Sequence, residues 1–125
     1  TYYAHPLACA AALETLNVYR DERMFENSAA LGPVLRRELE AIAARVGVRA
    51  LVRSLGLLGA LEFEAPPTLW AMLSREVAAR KLSLHIDGKR GTAIFAPPLC
   101  ITEQDLVTGM RSFGDAAVIA FGAKS

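Results

Sequence analysis

The chain has 125 residues, about one domain's worth and enough to bury a core without cross-links. Its hydrophobic share is high at 53%, its charged share is an ordinary 22%, and its net charge is +1. That balance gives no electrostatic case for nucleic acid, and no apolar run reaches the ~18 residues of a membrane span. The chain also shows no basic segment followed by an apolar one, as a secretory signal would. Thr1 rather than Met stands first, so the expectation is a piece of a longer protein, with the apolar excess facing another body.

Pro6 suits the first turn of a helix, where its missing N–H costs nothing, and Leu7 to Tyr19 reads as helical. The run Leu7-Ala8-Cys9-Ala10-Ala11-Ala12-Leu13 is apolar on every side. A surface helix of a self-sufficient domain carries a polar face, so this segment is expected to sit between two bodies. A second helix is expected from about Asn27 to Val46. Leu31, Leu35, Leu39, Ile42 and Val46 recur at helical spacing, and Arg36, Arg37, Glu38 and Glu40 fill the outer side. Pro33 should kink it or move its start later, and Gly47 should end it.

Val48 to Arg53 and Leu55 to Phe63 read as strands, short, rich in Leu and Val and bounded by Gly or Pro. In the second, Leu57, Gly59, Leu61 and Phe63 share one face, and Gly56 and Gly59 suggest a bulge or a close backbone approach. After Pro66-Pro67, Thr68 is expected to cap a third helix reaching about Arg80, with Leu69, Met72, Leu73, Glu76 and Val77 on one side. Leu82, Leu84 and Ile86 alternate with Ser83 and His85 as a half-buried strand. Asp87-Gly88 opens a turn, and Thr92 to Phe95 returns. Thr102 and Asp105 form a capping box before a last helix lined by Leu106, Met110, Phe113 and Ala117, with the chain fraying from Gly122. The order predicts an α+β fold: a two-layer sandwich with helices packed on one face of a small, mostly antiparallel sheet.

Taken alone, these residues carry little chemistry. There is no Ser-His-Asp spacing and no Gly-rich phosphate loop, since Gly56 and Gly59 lack a strand–turn–helix setting. His5 and His85 are too few for a metal site. Cys9 and Cys100, isolated in apolar contexts, read as reduced core thiols of a cytoplasmic protein. Lys89 and Arg90 beside Asp87 make a small basic knot on a turn, read first as a solvated hairpin tip.

Four segments change the picture together. Thr1-Tyr2-Tyr3-Ala4-His5-Pro6-Leu7-Ala8-Cys9-Ala10-Ala11-Ala12 resembles the T-Y-x-G-H-P-x-A-C-A-A-A segment of class III aminotransferases. Val52-Arg53-Ser54-Leu55-Gly56-Leu57-Leu58-Gly59-Ala60-Leu61-Glu62 resembles their V-R-G-x-G-L-x-x-G-x-E strand pair. Phe95-Ala96-Pro97-Pro98-Leu99-Cys100-Ile101-Thr102 resembles their F-A-P-P-L-x-I-T stretch. Phe25-Glu26-Asn27 with Leu31-Gly32 is similar to their E-N-A-x-x-x-G helix opening.

The resemblance implies a fold-type I enzyme whose upstream large domain holds pyridoxal 5'-phosphate on a lysine. Residues 1–24 would then be the end of the helix connecting large and small domains, and residues 25–125 the C-terminal small domain. Lys81, Lys89 and Lys124 lie in no segment like the Schiff-base motif, so the fragment alone is expected to be inactive. The parent would be a cytoplasmic homodimer moving an amino group from a small amine or amino acid to a 2-oxo acid. The resemblance implies that Thr1 donates its hydroxyl to the cofactor phosphate of the partner subunit, as a phosphate dianion wants many donors.

Two departures matter. Ala4 replaces the family's glycine and is strained if that position needs positive φ. Ile94 stands where acetylornithine-like and ornithine-like branches carry an arginine that clamps a substrate carboxylate, which isoleucine cannot do. Lys89 or Arg90 would then serve instead, and the donor would be an amine or ω-amino acid. Two other readings stand beside this one. One is a stand-alone α+β ligand-binding or regulatory module. The other is a class III relative working as an aminomutase, decarboxylase or racemase.

Overall fold

The computed structural model describes residues 3–124. The elements run α1 (Pro6–Asp21), α2 (Met24–Arg45), β1 (Ala50–Leu55), β2 (Leu58–Phe63), α3 (Pro67–Ala79), β3 (His85–Asp87), β4 (Thr92–Phe95) and α4 (Glu103–Phe121). The strands form one sheet in the order β1-β2-β4-β3, with every neighbour antiparallel. Alternation on the strands decides which side is covered. Gly59, Leu61 and Phe63 of β2 and Ala93 and Phe95 of β4 are buried together. Against them lie Leu35 and Leu39 of α2, Trp70 and Leu73 of α3, and Met110, Phe113 and Phe121 of α4. Phe63, Trp70 and Phe121 form an aromatic cluster, and Phe95 meets Phe113 edge to face. This is the expected two-layer α+β arrangement, with α2, α3 and α4 on one face.

Glycines let the layers close. Gly56 (φ +53) and Leu57 turn β1 into β2 as a two-residue loop between the paired Leu55 and Leu58. The expected close approach is found at both glycines. A Cβ on Gly59 would lie 2.7 Å from Leu39 Cδ1, and α2 places Gly32 directly against Gly56. Ser28 Oγ accepts from the Leu57 N–H at 3.3 Å, tying the same turn to α2.

Several expectations need correction. α2 begins at Met24, not Asn27, and runs on through Pro33. The missing bond at Pro33 is offset by burial of Leu31, Leu35, Leu39 and Ile42 on one stripe. α3 starts at Pro67, with Pro66 preceding it and no side-chain cap, so Thr68 sits within the first turn. Leu73 and Val77 are buried as expected, but Met72 is 40% exposed and Trp70 (2% exposed) turns inward instead. Only His85–Asp87 of the expected strand pairs; Leu82 and Leu84 approach it half-buried but unladdered. α3 ends with Lys81 at φ +56, its N–H bonding Ala78 O while Leu82 N–H bonds Val77 O, a Schellman closure without glycine. Cys9 and Cys100 are exposed rather than in the core, because α1 buries no residue and Cys100 lies on a loop. Gly122 to Lys124 do not fray: Val46 bridges Ala123, Gly47 N–H bonds Gly122 O at 2.8 Å, and Lys124 N–H bonds Arg45 O at 2.9 Å.

Thr102 behaves as expected. Its Oγ1 accepts from the Asp105 N–H at 3.1 Å, and its hydroxyl donates to Asp105 Oδ2 at 2.7 Å. Leu106, Met110, Phe113 and Ala117 are all buried. No helix among the described residues is long and apolar enough to cross a membrane.

Candidate functional site

With α2, α3 and α4 on one side, no helix among the described residues packs on the other side of the sheet. The period of two places Leu51, Arg53 and Leu55 of β1, Leu58, Ala60 and Glu62 of β2, and Thr92 and Ile94 of β4 on that open face. Arg53, Ala60, Ile94 and His85 form one row across the four strands, because each is the register partner of the next. Small residues at the row's centre leave a hollow of about 380 Å³, floored by Gly59 and Ala60 and walled by Leu55, Leu58 and Ile94. Arg53 and Thr92 stand at its rim, and Arg53 Nε is held 3.0 Å from Glu62 Oε1. A guanidinium beside an apolar hollow suits a small molecule with an apolar body and an anionic end.

The residues singled out from sequence are not gathered in one place. Thr1 lies outside the described residues. Ile94 sits on the open face, half-buried, in the row just described. Lys89 and Arg90 occupy the β3–β4 turn with exposed side chains. Asp87 Oδ1 accepts from their backbone N–H groups at 3.0 and 3.1 Å, and Arg90 Nε lies 3.8 Å from Asp87 Oδ2. The Arg90 N–H is the main cause holding the Asp87 carboxyl below the usual carboxylate range; slight desolvation opposes it, and the Lys89 N–H and the Arg90 and His85 charges add to it. Lys89 borders a groove against Trp70 and Ala71 of α3, not the hollow that Ile94 walls. Arg53 was legible only as a motif letter, although its alternation with Leu51 and Leu55 is the signal that puts it on the same face as Ile94.

Two more arrangements bear on the site. Asn27, near the start of α2, donates from Nδ2 to Leu99 O (2.6 Å) and Ile101 O (3.1 Å), pinning the loop that follows β4. A second hollow of about 360 Å³ lies between that loop, the 82–84 segment and the first half of α4, lined mainly by apolar groups such as Leu84, Phe95 and Met110, with His85 and Asp105 also on its wall.

At the other end, Ala4 has φ +55, the left-handed conformation glycine prefers, so the strain expected there is present. α1 buries nothing: Leu7, Leu13 and Leu16 are 74%, 65% and 62% exposed. Across the break at Glu22 and Arg23 (φ +51), Tyr19 of α1 and Phe25 of α2 meet edge to face at 5.4 Å. Lys81, Lys89 and Lys124 are all exposed. Among the described residues no three His, Cys, Asp or Glu side chains group as metal ligands.

Comparison with known proteins agrees with this frame. The family model described as aminotransferase class-III matches residues 1–117. The uncharacterized aminotransferase YhxA of Bacillus subtilis (strain 168) is 35% identical over 119 residues, covering 85% of this chain and 26% of that protein. The ornithine aminotransferase of Emericella nidulans is 34% identical over 117 residues, covering 89% of this chain and 24% of its own length. The crystal structure of acetylornithine aminotransferase from Elizabethkingia anophelis superposes with a TM-score of 0.81 at 30% identity, over 91% of this chain and 29% of that one. The chain thus spans about a quarter of the length of the curated relatives it matches.

Proposed function

The chain belongs to the class-III aminotransferases, and from that premise we propose that it is the C-terminal small domain of a pyridoxal-phosphate-dependent transaminase. The parent would transfer an amino group from an amine or amino-acid donor to a 2-oxo acid. Residues 1–24 are assigned to the end of the helix connecting the two domains and residues 25–125 to the small domain. The break between α1 and α2 at Glu22 and Arg23 supports a boundary there.

One observation carries the reading: α1 is apolar along most of its length and buries no residue. A helix of this kind is stable when packed against another body, not when left in water. The stand-alone module reading needs a self-sufficient α1 with one wet side and one buried side, and α1 has no buried side. The cofactor, held upstream, supplies the electron sink of transamination. This chain's lysines, all exposed, are given no step in it.

Within the parent, Thr1 is assigned to the cofactor phosphate of the partner subunit, which makes the working unit a homodimer. Two exposed free thiols, Cys9 and Cys100, fit a reducing cytoplasmic compartment. Ile94 offers an apolar wall where a carboxylate clamp would need a cation, which favours an amine or ω-amino-acid donor over an N-acylornithine. Lys89 or Arg90 is the proposed partner of a substrate carboxylate, approached at the hairpin tip and apart from the hollow that Ile94 walls.

The test is donor preference of the full-length enzyme with a common 2-oxo acid. The expected result is a higher kcat/KM for primary amines and ω-amino acids than for N-acetylornithine; a strong preference for N-acetylornithine overturns the assignment to Ile94. The isolated chain, mixed with cofactor, is expected to give no turnover, and measurable transamination by it would sink the small-domain reading.

A further inference from the structure

β3 and β4 pair only between His85 and Asp87 on one strand and Thr92 and Ile94 on the other. Before His85 and after Phe95 the two segments part. Pro97 and Pro98 have no N–H to donate, so no ladder continues there, and Leu82 to Leu84 run on unladdered. The hollow of about 360 Å³ lies between that fork and the first half of α4. Its walls are held by contacts of their own. Asn27 pins the carbonyls of Leu99 and Ile101, Thr102 caps α4, and Phe95 meets Phe113 with ring centres 4.8 Å apart. A preformed, mostly apolar hollow with a few polar groups is the form that small-molecule sites take, and this one is of a size for one ring with a short chain.

Gly109 lines the hollow, and no neighbour requires it to be glycine. Of the three helical glycines, Gly32 and Gly114 have no room for a side chain: a Cβ would stand 2.9 Å from Gly56 Cα and 3.0 Å from Ile42 Cγ1. A Cβ on Gly109 would meet nothing within 4 Å. Glycine inside a helix costs stability relative to alanine, and what it leaves at position 109 is open space beside Leu106, Met110 and Phe113.

The charges select the occupant. Among the described residues lining the hollow, Asp105 and His85 are the ionisable ones, and neither lysine nor arginine is present. The positive end of α4 is already met by Glu103 and Asp105 in its first turn. An anion would find no cationic partner, whereas an ammonium would find the Asp105 carboxylate and, in neutral His85, a ring nitrogen that accepts. We propose that the hollow is a binding site for a small cationic amphiphile, its apolar body held between Phe95, Met110 and Phe113 and its ammonium at Asp105.

The probe is N,N-dimethyl-2-phenylethylamine, titrated into the full-length protein by calorimetry. It carries a ring and a positive charge but, as a tertiary amine, cannot condense with a carbonyl cofactor, so turnover plays no part in the readout. The expected result is saturable binding that Gly109→Leu abolishes. Asp105→Asn should weaken it roughly tenfold, the loss of one charge-assisted hydrogen bond. The amide keeps both the backbone N–H and an oxygen for Thr102, so the cap of α4 survives. The anion 3-phenylpropionate, of similar size, should bind more weakly than the amine. Gly109→Ala, which the space admits, should weaken binding less than Gly109→Leu without lowering the unfolding midpoint. Unchanged affinity in Gly109→Leu places the amine elsewhere and overturns the proposal, as does equal binding of 3-phenylpropionate. If another part of the full-length chain fills the hollow, the wild type gives no saturable binding and Gly109→Leu lowers the unfolding midpoint; that result overturns it too.

Discussion

Gly32 and Gly56 meet backbone to backbone: a Cβ on Gly32 would stand 2.9 Å from Gly56 Cα. The contact seats α2 on the β1–β2 turn and so sets the distance between the two layers. Gly32→Ala must push helix and turn apart, and overpacking of this kind costs about 1–3 kcal/mol. Gly109, inside α4 with nothing within 4 Å of its would-be Cβ, is the control. Gly109→Ala should stabilise by roughly 0.5–1 kcal/mol through helix propensity. Urea unfolding of both variants checks the pair of signs; a neutral Gly32→Ala would mean the layers have room to spare.

Ala4 is the second glycine-type position, occupied here by a residue with a Cβ at φ +55. Ala4→Gly should relieve strain of roughly 1–2 kcal/mol. The full-length enzyme is the place to measure it, by thermal unfolding, and an unchanged or lowered midpoint would count against a strained alanine.

Asn27 uses its amide to satisfy two loop carbonyls at once, Leu99 O and Ile101 O. Asn27→Ala should cost about 1–3 kcal/mol by leaving them unpaired. Asn27→Asp should be worse at neutral pH, because an ionised carboxylate only accepts and would face two other acceptors. Its folded-state pKa would be raised, so the deficit relative to wild type should shrink as pH falls and the acid regains a donor. Stability against pH for the two variants tests this; a deficit that grows on acidification would falsify it.

Asp87 gives the opposite sign. Its carboxyl is held below the ordinary range, chiefly by the Arg90 backbone N–H. A depressed folded-state pKa contributes stability that is fully present above the unfolded value of about 3.9 and is lost as pH falls through the folded value. Carboxyl NMR should place the Asp87 midpoint below that of a free aspartate, and Asp87→Asn should flatten the acid limb of the stability curve. A midpoint at or above the ordinary value rules out the turn as drawn.

Thr102 caps α4 through the Asp105 N–H at 3.1 Å. Thr102→Ala should cost about 1 kcal/mol and Thr102→Ser much less, since the hydroxyl is what matters. Equal losses would point to the methyl group rather than the cap.

The parts legible in the residues alone were those with local physics. Periodicity marked Leu31, Leu35, Leu39 and Ile42 as one stripe, and alternation put Leu57, Gly59, Leu61 and Phe63 on one face; all of them are buried. Thr102 announced its cap. What failed did so where packing overrides local preference. Pro33 stays inside α2 because the buried stripe on both sides of it outweighs one missing bond. Trp70 rather than Met72 turns inward because the Phe63–Phe121 cluster receives an indole there.

The sequence by itself determined the family, the α+β order of elements and the apolar character of α1, because each of these is written in neighbouring residues. Only the tertiary structure decided that Lys89 stands apart from Ile94 and that Arg53 shares its row. Strand order β1-β2-β4-β3 brings residues 41 positions apart into one row, with Ala60 between them, while leaving the hairpin tip in water. That choice belongs to cross-strand pairing, which joins distant segments and leaves no mark in the local pattern of either.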